Sequence, residues 1–112
     1  MHFVEQNFGD VKVLAIKGKL TDTPETDQLH AKIKLFLEDN RNKIVLDLKH
    51  VHWLASMGIG AIMRCVLTVR NSGGDLRLTG LTEKVLNIFS ITKLTGVISV
   101  FDSVQEAVDS FK

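Results

Sequence analysis

The sequence predicts a single α/β domain in which a mixed, mostly parallel sheet is packed with four helices, in the order β-β-α-β-α-β-α-β-α. Two observations support this fold class. After an initial pair of strands, short β-branched apolar runs alternate with segments of helical periodicity. The 112 residues suffice for one hydrophobic core but not for two. We therefore expect one domain over residues 1–112.

The N-terminal third predicts a hairpin followed by a helix. Residues 2–8 and 11–17 are β-like runs on either side of Gly9-Asp10, which is the arrangement of an antiparallel hairpin. Residues 23–40 begin with a threonine that can cap a helix and a proline suited to the first helical position. Apolar residues then recur at helical spacing, so the first helix is expected in this segment.

The middle third predicts the central strand and the longest helix. Residues 44–48 form a β-branched apolar run, typical of a strand that is covered on both faces. Helical spacing then runs over residues 57–71. Its apolar stripe consists of Ile59, Ile62, Met63, Val66 and Leu67, and the apolar residues off that stripe are Met57, Ala61 and Cys65. A helix that is apolar on two sides is either enclosed within the fold or partly offered to a partner, and we expect enclosure.

The C-terminal third predicts two more pairs of strand and helix. Residues 76–78 form a short alternating strand, and Thr82 can cap the helix that follows it. Residues 97–101 are expected to form the last strand. Ser103 and Glu106 have the spacing of a capping box before a final amphipathic helix, which completes the predicted order.

Composition and charge exclude several classes of protein. Fourteen Lys and Arg residues against thirteen Asp and Glu give a net charge of +1, and the basic residues are scattered, so a nucleic-acid partner is not expected. No apolar run approaches the roughly 18 residues that span a bilayer, and the N-terminus lacks the pattern of a signal peptide. Cys65 is the single cysteine, which fits a reducing compartment. We expect a cytoplasmic protein with no membrane partner.

The start of the second helix is the candidate functional segment. Ser56 can cap this helix, because its hydroxyl oxygen can accept a bond from an unpaired amide of the first turn. Gly58 and Gly60 follow, and each costs a helix up to about 1 kcal/mol relative to alanine, so a compensating gain is expected. Glycines allow close approach of another backbone and leave the first-turn amides bare. A phosphate on Ser56 would face those amides and the positive end of the helix dipole.

At this segment the sequence resembles the STAS domain, which bacterial anti-sigma factor antagonists share with the cytoplasmic tails of sulfate transporters. The antagonist pattern is a strand, a short loop and Asp-Ser-Ser/Thr-Gly-Leu-Gly at the start of a helix, and residues 55–60 read Ala-Ser-Met-Gly-Ile-Gly. Residues 18–22 look like the family's Gly-x-Leu-Asp with one residue inserted, so Asp22 stands for the aspartate. The order of elements extends the resemblance to the whole chain and implies a STAS-like fold.

The resemblance implies a phosphorylation switch. Ser56 matches the phosphoacceptor of an ATP-dependent anti-sigma serine kinase, and the unmodified form would bind that kinase and release its sigma factor. The predicted partner-binding residues are Thr21, Asp22, Ala55, Met57, Gly58, Ile59 and Gly60. No cofactor is implied, and we expect a monomer or weak dimer. Because Ala55 replaces the motif aspartate, a scaffold or decoy that is never phosphorylated is a second interpretation.

Catalysis by Ser56 is a third interpretation, which the residues disfavour. Strand, serine and helix also form the nucleophile elbow of hydrolases, but the first glycine of Gly-x-Ser-x-Gly is absent here. All four histidines precede Ser56, whereas elbow enzymes place their histidine after the nucleophile. We therefore predict that the chain is not an enzyme. A sensor whose apolar second helix lines a ligand pocket is a further alternative.

Metal and redox sites are not expected. His50 and His52 point to one face of an extended strand, but zinc sites need three or four ligands. Cys65 lies in an apolar helical segment, whereas reactive thiols need an exposed, electropositive setting. We interpret the two histidines as polar residues at a strand end and the cysteine as a small core residue.

Overall fold

The structure is a computed structural model that describes residues 2–20, 23–54 and 56–112, without the side chains of His52, Trp53 and Ser56. The strands are β1 (His2–Phe8), β2 (Val11–Leu20), β3 (Lys43–Leu54), β4 (Asp75–Thr79) and β5 (Val100–Phe101). The helices are α1 (Thr23–Glu38), α2 (Ser56–Asn71), α3 (Glu83–Ile91) and α4 (Val104–Asp109). This order confirms the predicted fold class.

The five strands form one sheet in their order along the chain. β1 and β2 are antiparallel, and β2 to β5 are parallel neighbours. Each crossover from β2 onward steps one strand in the same direction, so right-handed crossovers place α1, α2 and α3 on one face of the sheet. α4 follows the last strand and covers part of the other face.

The buried residues separate into two clusters, one on each face of the sheet. The larger lies under the first three helices and includes Leu14, Ile16, Leu29, Ile33, Ile44, Leu46, Ile62, Val66, Leu76, Leu78 and Phe89. The smaller lies under α4 and consists of Val11, Val13, Val45, Ala107 and Val108. Because neighbouring residues of β3 enter different clusters, the prediction of a central strand covered on both faces is confirmed.

Two predicted helix starts are confirmed by their hydrogen bonds. The hydroxyl of Thr82 accepts from the amide of Val85 at 3.3 Å, and that of Ser103 accepts from the amide of Glu106 at 3.1 Å. Both helices therefore begin where their cap residues predict.

The last strand is shorter than predicted. Residues 97–99 were expected in it, but β5 begins at Val100. A short 3₁₀ turn, Leu94–Gly96, comes first, and the amide of Val97 donates back to the carbonyl of Leu94 at 2.9 Å. The carbonyl of Val97 accepts from Arg70 of α2 at 2.7 Å. The polar groups of Val97 are thus satisfied outside the sheet.

β3 is longer than predicted, and its extension leads to the candidate site. The apolar run ends at residue 48, but the strand continues to Leu54 because β2 also extends and pairs with it up to Leu20.

Across the described parts of the chain, no helix is long and apolar enough to cross a membrane.

Candidate functional site

Close packing of Gly58 positions the start of α2. β3 ends at Leu54 and α2 begins at Ser56. A Cβ atom at Gly58 would overlap the carbonyl oxygen of Leu20, the last residue of β2, and would lie 2.7 Å from the Cδ1 atom of Leu54. Only glycine allows the first turn of α2 to lie this close to the ends of both strands. Gly58 is buried and therefore positions the helix rather than offering surface to a partner.

Gly60 has a different environment, although the sequence treats the two glycines alike. It is exposed, and a Cβ atom there would have no neighbour within 4 Å. No packing constraint among the described residues therefore requires glycine at this position. Gly60 is the one of the two that remains available to a partner.

An exposed stripe runs along α2 from the candidate site. Met57 is 50% exposed and Leu67 is 56% exposed, and Gly60 and Arg64 are exposed between them. The spacings of three, four and three residues place all four on one side of the helix. We call these four residues the α2 ridge. Arg64 and Leu67 were missing from the predicted partner surface, and helical spacing from Met57 is the signal that could have found them.

The opposite side of α2 faces the core. Its fully buried residues are Ile62, Cys65, Val66 and Val69, and Ile59 is half-buried against the same cluster. The predicted apolar stripe is therefore right for Ile62 and Val66 and wrong for Leu67. Burial raises the pKa of the Cys65 thiol to about 12. The full burial of Cys65 confirms its interpretation as a core residue, and the thiol is protonated near neutral pH.

The predicted partner-binding residues are described only in part. Thr21, Asp22 and Ala55 lie outside the described residues, as does the side chain of Ser56. Their contacts, and the capping role of Ser56, stay predictions. Thr23, the residue after the predicted Thr21-Asp22 loop, donates its hydroxyl to the sulfur of Met57 at 3.6 Å. This contact joins the start of α1 to the start of the ridge.

A second polar contact between α1 and α2 lies farther along α2, beside the ridge. The Thr68 hydroxyl donates to the carbonyl of Arg64 at 2.9 Å, so its oxygen is left to accept from His30 Nε2 at 3.1 Å. Burial lowers the pKa of His30, and the positive charges of Arg64 and Lys34 lower it further. Asp27 opposes the shift. His30 is therefore neutral near pH 7.

Protonation of His30 should destabilise the fold. Its pKa in the unfolded chain is the ordinary 6.5 and its folded value is lower, so the unfolded state binds more protons as the pH falls below 6.5. The free energy of unfolding then decreases until the pH passes the folded pKa. We expect urea denaturation of the native chain to show this decrease below about pH 6.5, and His30→Gln to reduce it. An equal pH dependence in both proteins would contradict the assignment.

Other chemistry finds no support in the described residues. They contain no group of three or more His, Cys, Asp or Glu side chains placed to hold a metal ion. The imidazole of His50 is exposed, and that of His52 belongs to the side chains that are not described. The described part of the candidate site therefore consists of the exposed α2 ridge and the contacts of α2 with α1.

Comparison with known proteins identifies the family. Residues 4–107 match the model of the STAS domain family, and the chain belongs to that family. The anti-sigma-B factor antagonist of Bacillus subtilis is 30% identical over 97 residues, which cover 87% of this chain and 86% of that protein. The crystal structure of TM1081 from Thermotoga maritima has a TM-score of 0.85 at 27% identity, over 96% of this chain and 92% of that one.

A third comparison agrees in fold. The anti-sigma factor antagonist SpoIIAA in its unphosphorylated form has a TM-score of 0.75 at 18% identity, over 98% of this chain and 97% of that one. Together, the comparisons confirm the resemblance found in the sequence. They also confirm the prediction of a regulatory binding protein rather than an enzyme.

Proposed function

We propose that this chain is a cytoplasmic anti-sigma factor antagonist that is switched by phosphorylation of Ser56. Its unmodified form binds an ATP-dependent anti-sigma serine kinase, and this binding releases a sigma factor. The observation that carries the proposal is the position of Ser56. Ser56 is the first residue of α2 and directly precedes Met57, the first residue of the exposed α2 ridge. The close packing of Gly58 fixes this end of the helix.

The α2 ridge is suited to contact a protein. Exposed apolar side chains grouped on one face mark interaction surfaces, and Met57 and Leu67 are both at least half exposed. Arg64 lies between them, and arginine is enriched among the residues that dominate binding energy. The ridge therefore combines apolar contacts with a central charge.

The electrostatics of the first turn suit a reversible phosphate. The first turn of α2 contains no acidic residue, so no side-chain carboxylate there competes for the positive end of the helix dipole. A phosphate adds about −1.5 to −2 charges, which would disrupt an apolar contact through Met57. Two solved structures show SpoIIAA in an unphosphorylated and a phosphorylated form, which supports a phosphate switch on this fold.

A direct experiment maps the phosphate and the partner together. The protein is recovered from its native cell under several growth conditions, and its phosphates and co-purified proteins are identified by mass spectrometry. Phosphate on Ser56 with a co-purified anti-sigma kinase supports the proposal. A bound partner with Ser56 unmodified in every condition supports the scaffold or decoy, which Ala55 favours. Labelling of Ser56 by a serine-directed phosphonate probe would instead indicate a hydrolase.

Negative charge at Ser56 should weaken binding of the recovered kinase at least tenfold, which is about 1.4 kcal/mol, because the charge would lose water beside an apolar contact. The test compares Ser56→Asp with Ser56→Asn in titration calorimetry. Both replacements are good helix caps and nearly equal in shape, so they differ mainly in charge. Equal affinities of the two variants would contradict a charge switch at this position.

A further inference from the structure

Within the part of the chain that the structure describes, the outer edge of β1 is open. β1 is the first strand of the sheet, and among the described residues it pairs only with β2. Phe8 and Val11 are partners on either side of the two-residue turn after β1, and the pair that closes a turn of this length is a hydrogen-bonded one. Hydrogen-bonded and non-hydrogen-bonded pairs alternate along a hairpin, so the N–H and C=O groups of Phe3, Glu5 and Asn7 point away from β2. Such an edge is a template for another strand.

Exposed apolar side chains border this edge on both faces of the sheet. Eight large hydrophobic side chains are exposed among the described residues, and three of them lie here. Val4 and Phe8 are 39% and 38% exposed and share one face of β1. Leu35 of α1 is 55% exposed and lines a cleft with Glu5 and Asn7 on the other face. One face of the edge strand thus carries the apolar pair Val4 and Phe8, whereas the cleft on the other face combines Leu35 with charged side chains such as Lys12 and Lys32.

We propose that β1 pairs with β1 of a second copy of this chain, antiparallel and about a two-fold axis through Gln6. This register places each Val4 opposite Phe8 of the other copy, at non-hydrogen-bonded positions where facing side chains are closest. Glu5 and Asn7 become the hydrogen-bonded pairs, so their outward backbone groups are satisfied. The two five-stranded sheets join into one.

The alternative two-fold registers are less favourable. An axis through Glu5 would place two carboxylates opposite each other, which is destabilising, and would leave both copies of Phe8 without an apolar partner. An axis through Val4 would place Val4 opposite itself and Phe8 opposite no residue of β1. Only the axis through Gln6 pairs both exposed apolar residues of β1.

Charge at the edge also permits a second copy to approach. Glu5 forms ion pairs with Lys12, at 3.2 Å, and with Lys32 of its own chain, and its hydrogen bond to Lys32 leads the effects that lower its pKa. Each carboxylate is therefore already compensated before the copies meet.

α2 packs against α1, β3 and β4, so the α2 ridge and the β1 edge are separate surfaces. The pairing is independent of the proposed function.

Disulfide trapping tests this register. In Gln6→Cys the two introduced thiols face each other across the axis, with Cα atoms about 4.5 Å apart, within the range that a disulfide spans. Asn7→Cys is the matched control, since it is the next residue and equally exposed but faces Glu5. The native Cys65 is fully buried and does not compete. We expect the Gln6 variant to form a covalent dimer at least about tenfold faster on a non-reducing gel.

Sedimentation of the unaltered chain gives an independent measurement. We expect a concentration-dependent dimer with a Kd below about 1 mM. Asn7→Pro should raise this Kd at least tenfold, because proline removes an outward N–H and spares the hydrogen bonds to β2. Circular dichroism confirms that each variant is folded. Equal trapping rates for the two cysteine variants, faster trapping of Val4→Cys, or a monomer at all concentrations would overturn the proposal.

Discussion

Replacing Gly58 with alanine should lower the free energy of unfolding by about 3 kcal/mol, the upper range for overpacking a well-packed site. The added methyl group would overlap the carbonyl oxygen of Leu20. That oxygen belongs to the backbone of β2, so it cannot turn away as a flexible side chain would. Either the end of β2 or the first turn of α2 must move. Thermal unfolding should show a decrease of more than about 10 °C in Tm for a chain of this size.

The equivalent change at Gly60 is the control, and its effect should have the opposite sign. A methyl group there meets no atom within 4 Å, and alanine is favoured over glycine within a helix by up to about 1 kcal/mol. Gly60→Ala should therefore raise the free energy of unfolding. If Gly58→Ala were also stabilising, helix propensity would dominate at both sites and the contact with Leu20 would not position α2.

The fold class could be predicted because its determinants are local. β-branched runs, helical spacing and cap residues such as Thr82 and Ser103 act within a few residues of the chain. The central strand could be predicted for the same reason, since the run at residues 44–48 is apolar on both of its faces. The element boundaries that failed depend on partners. β3 extends because β2 extends beside it, and β5 begins late because Arg70 holds the carbonyl of Val97.

The candidate site shows the same limit at the level of single residues. Gly58 and Gly60 are indistinguishable by pattern, and only the position of Leu20, far away in the sequence, separates a packing glycine from an exposed one. Cys65 and Leu67 are both apolar, but the direction of the core is fixed only when α2 packs on the sheet and α1. From the sequence alone Ser56 can be predicted as the candidate site, and this stays a prediction, whereas finding the exposed surface that continues from it along α2 required the fold.

Introducing a charge at Leu67, the last residue of the α2 ridge, should weaken binding of the partner without unfolding the protein. Leu67→Glu places a carboxylate on the α2 ridge, where burial against a partner would leave it desolvated. We expect the affinity for the recovered kinase to fall about 30-fold, or about 2 kcal/mol, as for a typical hot-spot residue. Because Leu67 is 56% exposed, its replacement should change the free energy of unfolding by less than about 0.5 kcal/mol.

Ile91→Glu is the matched control for that variant. Ile91 lies on α3 and is 81% exposed, so the replacement introduces the same charge on a different surface. We expect its affinity for the kinase to equal that of the native chain. If both variants weaken binding equally, net charge rather than the ridge accounts for the loss.

Combining Leu67→Glu with Ser56→Asp tests whether the switch acts on the whole ridge. The two positions are 11 residues apart, which is about 16 Å along a helix, so independent local effects should add. A combined loss near 300-fold would then be measured. If the charge at Ser56 alone already prevented the whole ridge from binding, the affinity of the double variant should instead be close to that of the weaker single variant. We expect the additive result, because the ridge is rigidly held by its buried side and a charge at Ser56 acts within the first turn.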